Sequence, residues 1–209
     1  MVDVHHQINA VSRTIGTRVL DAGEARVLTM SQAYDTDLED LWDACTNIER
    51  LPRWFLPVSG ELKPGGRYQF DGNAGGVVER CDPPRSFAVT WEMGGEVSWV
   101  QVRLSADPDG RSRFELEHVA HVRDEMWAQF GPGAVGIGWD GMLLGLSLHL
   151  SSGESMSTQE AQAWQVSEEG KQFTLAASEK WAAASIAAGT PEQAARAAQE
   201  TVSKFYMGE

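Results

Sequence analysis

The sequence predicts an α+β fold in which a curved antiparallel sheet wraps one long helix and a helical extension follows. Three observations carry this reading. Residues 10–34 read as a strand hairpin. Residues 65–122 break into short alternating segments between turn-forming dipeptides. Residues 135–150 form an apolar run longer than a strand usually is.

The hairpin consists of "AVSRTIGTRVL" and "EARVLTMSQAY", both rich in Val, Thr and Ile and joined through "DAG". The period then changes. In "DTDLEDLWDACTNIERLPRWF", Leu38, Leu41, Trp42 and Cys45 fall at helical spacing, with Asp35 or Thr36 as N-cap and acids in the first turn. Asn47 restarts the chain as a second cap, giving a short helix through Arg53 near Pro52. Five strands follow: "GGRYQF", "GGVVERC", "RSFAVTWE", "VSWVQVRL" and "RSRFELEHVAHV". Their connectors carry Asp-Gly, Pro-Pro or Gly-Gly, which is turn chemistry, so the sheet meanders. The long helix, Val135 to Leu150, can pack on it. After Ser151, "SSGESMST" reads as a linker, and the chain becomes rich in Ala, Gln and Glu. Ser167 caps one helix ending at Gly189; Thr190 caps a second, with Pro191 at its first position. The expected organisation is a core domain over 1–152, including the hairpin, and an extension over 153–209 that packs on it. That annex could act as a lid, an edge cover or a dimer contact.

Composition narrows the function classes. At 209 residues, 42% hydrophobic and 22% charged, the chain fits one globular domain with decorations. A net charge of −13 argues against unaided binding to nucleic acid or an anionic membrane. "MVDVHHQINA" has no basic region followed by an apolar run, so no secretory signal is expected. No uncharged stretch reaches membrane-spanning length. Cys45 and Cys81 are too few for a disulfide framework or a zinc site. Reduced thiols, a cytoplasmic location, no metal and no cofactor are the expectation. The eight tryptophans are spread along the chain, which suggests an interior lined by large rings.

The element order is that of a helix-grip (START/Bet v-like) fold. "LWDACTNIERLPRWFLPVSGELKPGGRYQF", "GGVVERCDPPRSFAVTWE" and "VQVRLSADPDGRSRFELEHV" occur in that order. Over about residues 24–150 the chain thereby resembles the activator-of-heat-shock-protein-ATPase-homologue (AHSA-like) branch of the START-like (SRPBCC) superfamily. The resemblance implies a helix-grip fold with a cavity. It does not imply one activity, because the superfamily includes lipid carriers, hormone receptors, polyketide cyclases, enediyne-resistance proteins and chaperone regulators.

"FGPGAVGIGWDGMLLGLSLHL", residues 130–150, raises the question of a phosphate-binding loop. Gly133, Gly136 and Gly138 run in the order G-x-x-G-x-G, the reverse of a dinucleotide fingerprint, and no Lys or Ser/Thr follows. A helical wheel gives a better account. Ala134, Gly138, Gly141 and Gly145 share a narrow face between walls of Val135, Trp139, Met142 and Leu146 and of Ile137, Leu144 and Leu148. Glycine inside a helix costs about 1 kcal/mol relative to alanine, so the stripe points to close approach by something bulky. Tryptophan rings from the sheet, an annex helix or an apolar ligand would each serve.

His118 and His121 in "HVAH" fall on opposite strand faces and cannot jointly hold a metal. His118 shares the core face with Phe114 and Leu116. It reads first as a hydrogen-bonded core histidine, and it is also the best proton-shuttle candidate. His149 lies near the C-terminal end of the long helix, where the dipole favours positive charge. His5 and His6 belong to a terminus expected to be mobile. Asp37, Glu39, Asp40, Glu92 and Glu96 read as solvated charge. No G-x-S-x-G elbow occurs. Trp91 points inward with Phe87 and Val89, and Trp54 and Phe55 close the small-helix end, which in the resembled family forms part of the pocket mouth.

The expected ligand-binding surface therefore takes Trp42, Trp54, Phe55, Phe70 and Trp91, with Phe114 and His118 from the last strand. Gly138, Trp139, Gly141, Met142 and Gly145 complete it from the long helix. The leading function is binding of a small hydrophobic or aromatic molecule in an internal cavity, driven by desolvation. A cyclase or aromatase using the same cavity, with His118 as catalytic shuttle, is the second reading. A chaperone-ATPase regulator, or resistance by sequestration of a toxic metabolite, is the third. A homodimer is compatible with the annex, and a chaperone is the partner expected least.

Overall fold

The predicted hairpin is present as β1 (Ser12–Leu20) and β2 (Gly23–Tyr34), turning at Asp21–Ala22. The computed structural model describes residues 3–153, 155 and 157–209. The remaining strands are β3 (Val58–Gly60), β4 (Arg67–Phe70), β5 (Gly75–Asp82), β6 (Ser86–Met93), β7 (Glu96–Ala106) and β8 (Ser112–Ala120). One antiparallel sheet has the order β1-β2-β8-β7-β6-β5-β4-β3. Its β3 edge was not expected from sequence: "VSG" is too short to show alternation, and its register with β4, Val58 opposite Phe70, defines it. From β3 to β8 every neighbour in the sheet is also a neighbour in the chain, so turn chemistry alone sets this part of the topology.

The helices are α1 (Val4–Ala10), α2 (Leu38–Thr46), α3 (Asp124–Phe130), α4 (Gly133–Ser152), α5 (Thr158–Gln165), α6 (Glu168–Ala187) and α7 (Glu192–Met207), with a 3-10 turn at Leu51–Arg53. Several local expectations need correction. The N-terminus is helical: the Asp3 carboxylate accepts the His6 N–H at 2.9 Å, and Val4 and Ile8 are buried. The cap of α2 is Asp37, which accepts from Asp40 N at 2.8 Å, because the chain stays extended through Asp37. Ser151 and Ser152 extend α4, and Ser157 forms a capping box with Glu160 for α5, a helix the linker reading missed. Glu154 and Met156 of that linker lie outside the described residues. Ser167 caps α6 as expected, through Gly170 N. Thr190 does not cap α7; its hydroxyl accepts from Ser185 Oγ at 2.9 Å, and Pro191 takes the N-cap position.

The chain forms two compact units, which divide it differently from the expected boundary at 152/153. One contains residues 1–30, 121–144 and 157–209; the other contains 31–120 and 145–156. In the first, Arg13 and Asp140 form a buried ion pair at 2.6 Å, and Trp181 Nε1–H donates to Asp140 at 2.8 Å. Gly136 makes this possible, since a methyl group there would run into the Trp181 ring. Gly133 similarly stands against Val202 of α7. The second unit holds β3–β8, α2 and the last turns of α4, and it contains the candidate site. Among the described residues, no helix is long and apolar enough to cross a membrane.

Candidate ligand-binding site

Strand alternation builds one apolar face of the sheet. On β8, Phe114, Leu116 and His118 lie opposite Leu104, Val102 and Val100 of β7. Val100 and Val102 in turn lie opposite Val89 and Phe87 of β6. Directly paired residues share a face, so this row continues through Trp91 opposite Ser98 and Val78 opposite Val89. Its centre is closed: Phe114, Leu116 and Val100 are buried. Toward the β6–β7 hairpin it opens. Trp91 is half-buried, and Met93, next on the same face, is exposed.

Four predicted residues meet at that open end. Phe55 packs edge-on against Phe70 with ring centroids 4.9 Å apart, and Phe70 lies 5.8 Å from Trp91. Trp54 continues the row, 5.9 Å from Phe55. Tyr68, which composition did not single out, flanks Phe70 at 5.5 Å and donates to Thr90 O at 2.7 Å. Gly76 pairs with Tyr68 across β4 and β5, so the Tyr68 ring has no side chain directly opposite it. Trp54 is buried, and its indole N–H is already committed to Ala44 O at 3.0 Å. Phe55 and Trp91 remain half-buried and supply the accessible aromatic surface.

Gly145 belongs to this arrangement. A methyl group built there would collide with the backbone carbonyl oxygen of Trp54. The expected close approach to the helix is real at this position, and the approaching group is the main chain of Trp54, where a tryptophan ring, an annex helix or an apolar ligand would each have served. The rest of the predicted glycine stripe is corrected. Gly138 and Gly141 are exposed, and a methyl group at Gly141 would meet nothing within 4 Å. Close packing on the first half of α4 falls on Gly133 and Gly136, one step round the wheel, because α6 and α7 place Trp181 and Val202 there. Trp139 and Met142 are buried in that half, which belongs to the other compact unit. Trp42 is half-buried and packs on Phe87 at 6.2 Å, apart from the Phe55–Trp91 group.

His118 lies on the apolar face, where burial pushes its imidazole down to about 4. Its Nε2 is 2.8 Å from Ser98 Oγ, and the Ser98 hydroxyl donates to Trp91 O at 3.1 Å. Ser98 therefore accepts from Nε2–H, and the ring is neutral with its proton on Nε2. Such a group is a weak base at neutral pH. Ser98 was missed in the sequence, although its alternation with Val100 and Val102 would have placed it on this face. His121 lies beyond the end of β8, its Nδ1 3.2 Å from Glu24 O.

Arg50 holds Asp40, one of the acids expected to be solvated, together with Asp43. It donates to Asp40 Oδ1 at 2.7 Å and Asp43 Oδ2 at 3.0 Å. Hydrogen bonds from Arg50 and Thr36 hold the Asp40 carboxyl below its ordinary range. Arg50 Nε–H also donates to His149 Nε2 at 3.0 Å. His149 thus ties the last turns of α4 to Arg50. Among the described residues, no cluster of three His, Cys, Asp or Glu could hold a metal ion.

Comparison with known proteins bears on this geometry. A family model described as "Activator of Hsp90 ATPase homolog 1-like protein" matches residues 35–150. The crystal structure of CalU16 from Micromonospora echinospora is 34% identical, with a TM-score of 0.61, over 84% of this chain and 98% of its own. The solution structure of CalU16 gives 32% identity and a TM-score of 0.70 over 86% and 97%. Protein MLL2253 from Mesorhizobium loti, 19% identical with a TM-score of 0.52 over 61% and 99%, shares the fold. No curated protein matches the chain.

Proposed function

The chain belongs to the Activator of Hsp90 ATPase homolog 1-like family, and we propose that it binds a small hydrophobic or aromatic molecule against the Phe55–Phe70–Trp91 face. The single observation that carries this reading is the half-buried state of Phe55 and Trp91 at the end of an otherwise closed apolar sheet face. Large rings left accessible beside an exposed Met93 give a ligand apolar area to cover, and desolvation supplies the affinity. Rings already packed against one another lose little freedom on binding, so the surface is pre-organised. The last turns of α4, pressed on Trp54 at Gly145, fix the segment that carries Phe55.

The geometry favours binding over cyclase chemistry. A shuttle needs a group that titrates near the working pH, whereas His118 is buried, neutral and committed to Ser98. The family's printed name points to a chaperone ATPase; an aromatic wall suits a small apolar ligand better. We place the protein in the cytoplasm, where Cys45 and Cys81, both free thiols, stay reduced.

Fluorescence titration with the uncharged probe N-phenyl-1-naphthylamine tests the proposal. Saturable binding is expected, weakened by about tenfold in Phe55→Ala and in Trp91→Ala. Trp99→Ala, on the opposite sheet face, is expected to leave it unchanged. Equal binding by all four proteins would sink the assignment. Native mass spectrometry of freshly purified protein then identifies any co-purified molecule.

A further inference from the structure

The opposite face of the same sheet carries an unassigned groove of about 340 Å3 at the β6–β7–β8 end, lined by Arg85, Ser86, Arg103, Ser105, Arg113 and Glu115 around Leu104. The strand register places these groups. Ser86 pairs with Arg103, Arg103 with Glu115, and Ser105 with Arg113. Arg103 and Ser105 alternate onto one face of β7, and Arg113 and Glu115 onto the same face of β8. Arg85 is held beside them because its carbonyl accepts Leu104 N–H at 2.7 Å. Three of the 17 Lys and Arg residues of a chain with net charge −13 thus line one groove, each paired with a carboxylate: Arg85 with Asp82, Arg103 with Glu115 and Arg113 with Asp107.

The carboxylates around the groove orient these guanidinium groups without using all their donors. Asp82 takes Nε and Nη2 of Arg85, at 3.1 and 3.3 Å. Asp107 takes Nε and Nη2 of Arg113, at 3.2 and 2.7 Å. Arg103 gives Nη1 to Glu115 and Nη2 to Gln101, each at 3.0 Å. Among the described residues this leaves Nη1 of Arg85, Nη1 of Arg113 and Nε of Arg103. The Ser86 and Ser105 hydroxyls also make no hydrogen bond to another described residue. Exposed pairs of this kind contribute little to stability, so fixing the forks is their main physical effect. Planar forks and hydroxyl groups lining one groove match an anion with several peripheral oxygens.

We propose that this groove binds a phosphate-type oxyanion, such as the phosphate or diphosphate group of a small molecule. The site is independent of the aromatic face. Titrating the full chain with inorganic pyrophosphate at constant ionic strength, followed in proton–nitrogen correlation spectra, is the test. Saturable shifts are expected at Ser86, Arg103, Ser105 and Arg113. None is expected at Arg67, whose exposed pair with Glu92 lies outside the groove and controls for general screening. Arg103→Gln and Arg113→Gln should each weaken binding by about tenfold, and Arg103→Lys, which keeps the charge and loses the fork, should also weaken it. The same spectra report whether each variant is folded. Shifts that do not saturate, that affect Arg67 as strongly as Arg103, or that survive both glutamine substitutions overturn the proposal.

Discussion

Gly141 and Gly145 lie four residues apart on α4 and should respond in opposite ways to a methyl group. At Gly141 the added carbon meets nothing within 4 Å. Gly141→Ala therefore gains helix propensity, about 1 kcal/mol in urea denaturation. At Gly145 the obstacle is the Trp54 carbonyl, which is main chain and cannot rotate away. Gly145→Ala should lose about 1–3 kcal/mol and disturb the Trp54–Phe55 segment. His118 gives a second prediction at this scale. Its folded value, near 4, lies below the ordinary histidine value, so the unfolded chain binds the extra proton first. The neutral-imidazole contribution is fully present above the unfolded value of about 6.5 and is lost as pH falls toward 4, on the order of 3 kcal/mol. A denaturation series across that window should show the loss, and His118→Gln should flatten it. A His118 ring that titrates near 6.5 by NMR would contradict the burial argument.

The pairing of α4 with α6 rests on Arg13, Asp140 and Trp181. Arg13 donates to Asp140 through Nε and Nη2, and to the Ile8 and Val11 carbonyls through Nη1. Its guanidinium also lies 5.8 Å from the Trp181 ring centroid. Asp140→Asn leaves the Arg13 charge buried without its counter-charge and should cost about 3–5 kcal/mol. Trp181→Phe keeps the ion pair, removes one hydrogen bond and should cost about 1–2 kcal/mol. Chemical denaturation of both variants checks this order. Strands and turns at this scale were legible because period-two alternation and Gly/Pro connectors are local signals. Asp140 was not read, although a lone acid in an apolar helix four residues after Gly136 hints at a buried partner. What the sequence withholds is the partner, since Arg13 is 127 residues away and only packing brings it there.

Across the whole molecule, local pattern identified the elements and the family resemblance identified the helix-grip fold, while the division into units and half of the site depended on long-range packing. Trp91 was legible as an inward residue from its alternation with Phe87 and Val89, and Phe55 only through the pocket mouth of the resembled family; the contacts of both with Phe70 depend on packing. The glycine stripe failed at Gly138 and Gly141 because a helical wheel shows which residues share a face, without showing what covers it. The same limit applies to residues 153–209, which composition separates from the core. In the structure α6 and α7 supply Phe173, Trp181 and Val202 to the buried interior of a unit that also contains α1, β1 and the first half of α4. A chain ending at Ser152 would keep Arg13 and Asp140 and lose Trp181. It would also expose the α4 face at Gly133 and Gly136 and the α1 residues Val4 and Ile8, since α1 packs on α6. Uncovering that much apolar surface should leave this unit unable to hold a fixed core. The shortened chain is therefore expected to aggregate, or to lose near-ultraviolet circular dichroism and sharp amide signals from residues 3–30. If it instead gives native-like spectra over those residues and a cooperative melt, the extension is a separable appendage, and the interleaved division of the chain is wrong.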